Sequence, residues 1–343
     1  MTLAIQPLVS IVTPMYNEAD YISECIDSIL SQTYQNWEYI IVDNRSTDES
    51  AAIARRFVQR DHRIRLVENR AFLRAVANYN LSLSHISAAS KYCKVVLADD
   101  WIFPECLERM VAIPEANRSV GIVGAYGLDG SNVLWSGLPY PSTVISGKQA
   151  CRRLFLGGPY VFGTATALLY RADLVRSRTP FYNEDNIHSD KEVCIDLLRH
   201  CDFGFVHQVL TFTRVRPHSL LMMSRSLNSI MAGELHDLVK YGPDFLTGSE
   251  LDACLRRSLR EYYIYLAGSL LRGRDETFWA YHTRTLREAG VPLSRVRLAR
   301  AVLARLFGVV TNPKSALEIL LRARPDESQT LAREVGEQWR ESH

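Results

Sequence analysis

The sequence has 343 residues, 47% of them hydrophobic and 23% charged, which is the composition of a globular protein and argues against an intrinsically disordered one. Its net charge of +2 favours neither a nucleic-acid partner nor an acidic one until the distribution of charge is considered. Seven scattered cysteines without a C-x-x-C pair predict reduced, buried thiols of a cytosolic protein and argue against a disulfide framework or a zinc site.

The sequence gives no sign of membrane insertion. The apolar run at 8–13 is too short for a signal peptide, and no stretch approaches the roughly 20 apolar residues that a membrane span needs. We therefore expect a cytoplasmic protein, either soluble or bound peripherally at the inner face of the membrane.

Strand and helix patterns alternate through the first hundred residues. Apolar, β-branched runs predict four buried strands, at 8–13, 39–42, 63–67 and 93–98. Asn17 is expected to cap the first helix, with Asp20 in its first turn. The helices between the strands are predicted at 22–30, 46–60 and 74–89. This alternation predicts an α/β fold with a mainly parallel sheet that binds ligands at the carboxyl ends of its strands.

The pattern changes after residue 100. Short apolar runs predict further strands at 120–125, 161–170 and 203–212, and from about residue 226 only helices are predicted. We therefore predict two regions, an α/β catalytic domain over residues 1–225 and a helical C-terminal region over residues 226–343.

Three of the predicted strands run directly into polar segments, at 13–18, 43–48 and 99–100. In a doubly wound sheet these segments converge on one crevice. The adjacent carboxylates of Asp99 and Asp100 supply hard oxygen ligands that suit Mg²⁺ or Mn²⁺. Such an ion usually takes further ligands from water and substrate phosphates, so a nucleotide diphosphate is the expected partner.

The ordered segments 9–18, 32–43, 44–50 and 97–104 resemble the family 2 glycosyltransferases of the GT-A fold, and the resemblance extends over roughly residues 8–220. It implies a Rossmann-like domain that binds a nucleotide-sugar, with a UDP-sugar as the expected donor and Mn²⁺ or Mg²⁺ as the cofactor. It also implies inverting transfer to a hydroxyl of a glycan or lipid-linked oligosaccharide acceptor, as in bacterial polysaccharide biosynthesis.

The resemblance implies a role for each residue that matches the family's motifs. Asp43 would accept a hydrogen bond from the nucleotide base, Asp99 would face the ribose and the metal, and Asp100 would bind the metal directly. The remaining donor-binding positions are Thr13, Pro14, Tyr16, Glu18 and Asn78.

Three positions depart from the family's pattern. Leu97 stands where many relatives carry another aspartate, and Ser189 stands where the family's catalytic motif has glutamate. Ala77 stands where many relatives carry an arginine that meets the diphosphate, a role that Arg74 could take. These departures keep open a degenerate module that binds nucleotide-sugar or glycan without turnover. A sugar nucleotidyltransferase is the other alternative, although such enzymes usually carry a glycine-rich phosphate loop that is absent after the first strand.

Inverting transfer requires one carboxylate to take the proton of the acceptor hydroxyl. The segment 188–198 resembles the family's Glu-Asp motif at a helix start and places Asp190 where the helix dipole favours an ionised carboxylate. Asp190 is therefore the predicted general base. The pair Glu184 and Asp185, in a loop, is the alternative, and helix capping is the structural explanation for either.

A basic loop is predicted further along the chain. In the family, a loop at the position of 214–219 closes over the diphosphate, and in some relatives it adds a histidine ligand to the metal. His218 is the candidate for that ligand, and a solvated surface histidine is the alternative explanation.

Residues 251–310 contain eleven arginines, no lysine and five acidic residues, a local charge of +6. The segment 295–307 places apolar residues on one helical face and Arg297, Arg300 and Arg305 on the other. Such a helix can lie on an anionic membrane surface, pack against a core, or form a homo-oligomer contact, and the sequence leaves all three open. Nucleic-acid binding is not expected, because no basic-aromatic platform or groove-reading motif is present.

Overall fold

The computed structural model describes residues 6–216 and 227–311. The chain divides into two compact units, Met1–Val215 and Arg216–His343. The boundary that the sequence predicts, near residue 225, falls outside the described residues, so the division into 1–225 and 226–343 stays a prediction. None of the described helices is long and apolar enough to cross a membrane.

The described part of the first unit contains ten strands, which form one sheet. They are β1 Val9–Met15, β2 Trp37–Asp43, β3 Ile64–Glu68, β4 Tyr92–Val95, β5 Trp101–Ile102, β6 Val120–Asp129, β7 Asn132–Leu134, β8 Val144–Ile145, β9 Leu168–Arg171 and β10 Asp202–Phe212. Their order is β3-β2-β1-β4-β9-β6-β10-β5, with β7 beside β6 and β8 beside β10. β3, β2, β1 and β4 are parallel, and β9 runs antiparallel to both β4 and β6. The predicted mainly parallel α/β sheet is therefore confirmed.

Helices cover this sheet and supply its core contacts. They are α1 Ile22–Leu30, α2 Ser50–Val58, α3 Ala75–Ser84, α4 Cys106–Ala116, α5 Gly147–Phe155, α6 Ala172–Arg176 and α7 Ser189–Leu197. A 3₁₀ turn, Ala165–Ala167, precedes β9. The predicted apolar stripe of α1 is buried as expected through Ile22, Cys25, Ile26 and Ile29.

The start of α1 differs from the prediction. Tyr21 is its N-cap residue, so Asn17 does not cap the helix and Asp20 lies before its first turn. Asn17 instead adopts a left-handed backbone with φ of 53°, and its Oδ1 accepts a hydrogen bond from the N–H of Thr47 at 2.8 Å. This bond joins two loops that are distant in sequence, which a local capping pattern does not show.

Other elements are shorter than predicted. α2 begins at Ser50 instead of residue 46, and α3 ends at Ser84 instead of residue 89. The strand predicted from residue 161 begins only at Leu168, because Gly163 turns the chain with φ of 89°. A Cβ added at Gly163 would lie 2.7 Å from the Cβ of Ala167, so the turn needs glycine on steric grounds as well.

The second unit is helical, as predicted. Its described helices are α8 Ser229–Phe245, α9 Gly248–Leu271, α10 Glu276–Glu288 and α11 Arg295–Thr311. A capping box of Thr247 and Glu250 starts α9. The core of the unit is formed by Ala232, Leu235, Tyr262, Leu266, Phe278 and Leu286.

A buried histidine lies beside this core. His282 is fully buried, with Nε2 2.8 Å from the carbonyl oxygen of Leu227 and Nδ1 2.6 Å from the hydroxyl of Tyr262. A carbonyl only accepts hydrogen bonds, so Nε2 carries the proton and Nδ1 accepts from the hydroxyl. Burial lowers the pKa of His282 to about 4, since both ring nitrogens are already committed in the neutral form.

The orientation of α11 bears on the core-packing alternative for its apolar face. Val296 and Leu303 of that face are 62% and 66% exposed. The guanidinium of Arg305, predicted on the opposite face, lies 3.2 Å from the position that a Cβ on Gly268 would take. Leu298 packs against the core of the unit. The helix therefore does not use the predicted apolar stripe for core packing, and Val296 and Leu303 stay available for a partner.

Candidate active site

Hydrogen bonds tie the loop after β1 to the loop after β2. The N–H of Glu18 donates to Ser50 Oγ at 2.7 Å, and the N–H of Ala19 donates to Asp48 Oδ2 at 3.1 Å. Burial opposes ionisation of Asp48, but hydrogen bonds from Ser50 and Ala19 hold its pKa below the usual range. The two loops thus form one surface at the carboxyl edge of the sheet, as the sequence predicts.

Asp43 and an aromatic pair lie at the end of β1 and β2. Asp43 is the last residue of β2 and is 4% exposed, and its carboxylate accepts from the N–H of Ser46 at 3.2 Å. Met15 pairs with Asp43 across the two parallel strands, which places Tyr16 beside it. Tyr16 is 42% exposed and meets the exposed ring of Phe72 edge to face, with centroids 4.9 Å apart.

Three predicted donor-binding residues are buried within the fold. Thr13 is 0% exposed, and its hydroxyl donates to the carbonyl of Val96 at 2.7 Å. Pro14 is buried in β1. Asn78 is 3% exposed, and its Oδ1 accepts from Asn69 at 2.9 Å. These side chains are thus bonded or buried inside the strand and loop ends, and their assignment to donor binding stays a prediction.

Asp100 is held on both carboxylate oxygens. It is 2% exposed, Oδ2 accepts from Thr166 Oγ1 at 2.6 Å, and Oδ1 accepts from the N–H of Arg214 at 2.9 Å. These hydrogen bonds use two of the about four lone-pair sites of a carboxylate. The carboxylate of Asp100 is therefore oriented by two elements that are distant in sequence.

Arg214 anchors the chain after β10 to this acidic turn. Its Nε donates to the carbonyl oxygen of Asp99 at 3.1 Å, and its guanidinium lies 2.5 Å from the carboxylate of Glu24. The same group lies over the ring of Tyr21, 4.5 Å from the centroid. The predicted basic loop thus begins beside the aspartates, whereas its candidate ligand His218 lies outside the described residues.

The donor set around Asp99 and Asp100 fits a hard divalent cation. Within residues 6–216 and 227–311, no group of three or more histidine, cysteine or acidic side chains could hold a metal ion. A Mg²⁺ or Mn²⁺ ion suits such a site, because it binds through one or two carboxylates and takes water and phosphate oxygens as its other ligands. Asp100 and Asp99 are the residues that would hold it.

One phenol lies among four of the site's acidic residues. Burial raises the pKa of Tyr79, and the negative charges of Asp99, Asp100, Asp190 and Glu18 raise it further. This shared influence indicates that four acidic residues from three separate segments of the sequence lie near one side chain of α3. Tyr79 could not be predicted as part of the site, because nothing in a helical residue between Asn78 and Asn80 signals one.

Asp190 lies in the first turn of α7, as predicted. Its Oδ1 accepts from the N–H of Lys191 at 2.8 Å, and its charge also raises the pKa of buried Tyr182. The loop before the helix is fixed by Glu192, which is 4% exposed and accepts from the side chain of Asn183 at 2.9 Å. The predicted location of Asp190 is confirmed, whereas its role as general base stays a prediction.

The alternative acidic pair, Glu184 and Asp185, lies near residues at the start and middle of α3. Glu184 accepts from Asn80 Nδ2 at 3.0 Å, and the Asp185 side chain is 89% exposed. Arg74 lies 3.9 Å from each of the two carboxylates. Arg74, suggested as a substitute for an arginine that meets the diphosphate, is thus placed against acidic residues.

Residues 10–178 match the family described as Glycosyl transferase family 2. The chain is 36% identical over 153 residues to the putative glycosyltransferase EpsE of Bacillus subtilis, a match that covers 42% of this chain and 54% of EpsE. The chain therefore spans about half the length of this curated relative.

Two solved structures share the fold. S. aureus TarS 1–349 in complex with UDP-GlcNAc has a TM-score of 0.61 at 16% identity, covering 98% of this chain and 93% of that chain. The mannosyltransferase PcManGT of Pyrobaculum calidifontis, in complex with GDP-Man and Mn²⁺, has a TM-score of 0.54 at 17% identity, covering 96% and 86%. These likenesses confirm the GT-A fold that the resemblance implies.

Proposed function

Residues 10–178 belong to glycosyl transferase family 2, and from this premise we propose that the chain is an inverting, metal-assisted glycosyltransferase. It transfers a sugar from a nucleotide diphosphate to a hydroxyl of a glycan or a lipid-linked acceptor. The observation that carries the proposal is the buried Asp100 carboxylate at the carboxyl edge of the sheet, held by Thr166 and Arg214, while Glu18, Asp99, Asp100 and Asp190 all raise the pKa of buried Tyr79. That edge is where parallel α/β sheets bind their ligands.

The carboxylates of Asp99, Asp100 and Asp190 have two different parts in this reaction. Asp100 and Asp99 would hold the divalent ion, which would neutralise charge on the leaving diphosphate. Asp190 takes the proton of the acceptor hydroxyl as its oxygen forms the new bond to the anomeric carbon, and the nucleoside diphosphate leaves from the opposite face. The first turn of α7 favours the ionised form of Asp190, which is the form a base requires.

The donor in this proposal is a UDP-sugar. Asp43 is buried at the end of β2 and offers carboxylate oxygens to the N–H group of a uracil base. The exposed rings of Tyr16 and Phe72 flank this position with a surface on which a base can stack. Among the similar structures, one holds UDP-GlcNAc and another GDP-Man, so the choice of base has to be measured.

The setting we propose is polysaccharide assembly at the cytoplasmic face of a membrane, with the second unit contacting the membrane or another copy of the chain. The exposed Val296 and Leu303 together with exposed Arg300 support such a contact. These are properties of a surface and are separate from the chemistry of the acidic site.

A product assay tests the proposed function. The protein is incubated with UDP-, GDP- and dTDP-sugars and Mn²⁺, with and without glycan acceptors. Transfer to an acceptor is the expected result. Nucleotide-sugar binding without turnover would identify a degenerate binding module, and formation of a nucleotide-sugar from a sugar phosphate and a nucleoside triphosphate would identify a nucleotidyltransferase.

A further inference from the structure

A lysine is fully buried in the strand that leads to the acidic site. Lys94 of β4 is 0% exposed, and its Nζ donates to the carbonyl oxygens of Thr166 at 2.7 Å and Leu168 at 3.3 Å. The Sδ atom of Met110 lies 3.6 Å from the same Nζ. Among the described residues, no carboxylate forms an ion pair with Lys94. Burial lowers its pKa, because a buried charge without an ion partner is costly.

The backbone that Lys94 holds carries the hydroxyl that contacts Asp100. Thr166 lies in the 3₁₀ turn, is 0% exposed, and accepts the N–H of Leu97 at 3.2 Å. A hydroxyl has one proton, and an ionised carboxylate can only accept, so that proton is directed to Asp100 Oδ2 at 2.6 Å. Lys94 thus contacts the backbone of Thr166, and the side chain of Thr166 contacts the Asp100 carboxylate that we assign to the metal.

We propose that Thr166 and Lys94 are positioning residues, which hold the Asp100 carboxylate in the orientation that binds the divalent ion. This inference rests on the proposed function, since it assigns the ion to Asp100. Thr166 acts directly through its hydroxyl, and Lys94 acts through the backbone of the 3₁₀ turn. Partners behind a metal ligand are typically worth about 10- to 100-fold in metal affinity.

A purely structural role would have a different signature. Lys94 could merely satisfy two buried carbonyl groups, in which case its replacement would change the melting temperature and leave metal affinity unchanged. Thr166 could merely satisfy the N–H of Leu97, and a valine there would likewise affect stability alone. Metal affinity measured apart from turnover therefore separates positioning from structure.

The experiment compares Thr166→Val with Thr166→Ser, and adds Lys94→Met. Thr164→Val is the matched control, because the Thr164 hydroxyl lies 3.5 Å from that of Thr213 and is not bonded to Asp100. Mn²⁺ affinity is measured by electron paramagnetic resonance and by calorimetry in the presence of UDP, alongside melting temperature. We expect the Mn²⁺ Kd to rise about tenfold or more for Thr166→Val and Lys94→Met, and to stay near wild type for Thr166→Ser and Thr164→Val.

An unchanged Mn²⁺ Kd in folded Thr166→Val would overturn the positioning role, whatever its melting temperature. If Lys94→Met does not fold, the comparison of Thr166→Val with Thr166→Ser still decides whether the Thr166 hydroxyl positions the Asp100 carboxylate. Failure of the proposed function looks different, because wild-type protein would then show no Mn²⁺-dependent binding of either UDP or GDP.

Discussion

Two buried polar side chains, Asp100 in the first unit and His282 in the second, are held in different ways. In the first unit, the Asp100 carboxylate is buried at the carboxyl edge of the sheet and is held by Thr166 and Arg214 from distant parts of the sequence. In the second, the buried imidazole of His282 is paired with Tyr262 and Leu227 inside a helical core. The first arrangement orients a carboxylate at the edge of the sheet where ligands bind. The second buries a neutral imidazole away from solvent. We therefore place the proposed chemistry in the first unit and expect the second to contribute stability and surface contacts.

The largest effect is expected at Asp100. Asp100→Ala should reduce transfer below detection and remove Mn²⁺-dependent UDP binding, because the residue is the main protein ligand proposed for the ion. The Thr166 hydroxyl and the Arg214 N–H lose their acceptor, so stability should also fall by about 1–3 kcal/mol. Turnover, calorimetry and thermal melting measure these effects. The control is Asp27→Ala on the exposed side of α1, and full activity of Asp100→Ala or of wild type in EDTA would refute the metal-assisted mechanism.

The second unit should respond to pH through His282. Its folded pKa of about 4 lies below the ordinary value of 6.5, so between these pH values the unfolded chain binds a proton that the folded chain does not. Stability should therefore be full above pH 6.5 and fall as the pH drops toward 4, by on the order of 2–3 kcal/mol. Melting temperatures of wild type and His282→Gln at pH 7.5 and pH 5 test this, with the exposed His62→Gln as control. An equal loss in wild type and His282→Gln would exclude His282 as the cause.

Within the first unit, the preference for UDP over GDP tests the role proposed for Asp43. UDP should bind about tenfold more tightly than GDP at equal Mn²⁺, because the buried Asp43 carboxylate can accept the uracil N–H. Replacing Asp43 by alanine should narrow that difference. Calorimetry with both nucleotides measures it, and tighter binding of GDP would overturn the assignment of the base.

The smallest effect is expected on the surface of α11. Arg300 is exposed, so Arg300→Gln should weaken binding to vesicles that contain phosphatidylserine by about 1 kcal/mol, roughly fivefold. Arg305→Gln should matter less, because the Arg305 guanidinium lies against Gly268. Vesicle sedimentation measures both variants. No vesicle binding by wild type would exclude the membrane, and a second species in light scattering would then favour contact between copies of the chain.

Much of the fold could be predicted because its signals are local. The buried strands Val9–Met15 and Trp37–Asp43 are rich in β-branched and aromatic residues, and the start of α7 at Ser189 agrees with the apolar periodicity of the segment that follows. Asn17 was assigned wrongly because its conformation depends on Thr47 in another loop. The packing of Arg305 against Gly268 could not be predicted, because a helix with one apolar face and one arginine face does not indicate which face packs.

The site was only partly predictable, because some of its residues come together only in the tertiary fold. Asp43, which ends β2, and Asp100, which lies in the turn between β4 and β5, are visible as polar groups after apolar runs. Tyr79 and Thr166 contribute through the tertiary fold alone, and their own sequence context carries no signal. Lys94 does carry such a signal, since a charged residue in the middle of a buried apolar strand requires a partner inside the fold.

The central claim is that the acidic edge performs inverting transfer with Asp190 as its base. The most direct test is a paired measurement of turnover and UDP affinity on Asp190→Asn and Asp185→Asn. Asparagine keeps the shape of the side chain and removes the base, so turnover of Asp190→Asn should fall by ~10² to 10⁴ while UDP binding with Mn²⁺ is retained. Asp185→Asn should stay near wild type, because that side chain is exposed in the loop before α7. Near-normal turnover of Asp190→Asn with a collapse in Asp185→Asn would contradict the account and move the base to the loop.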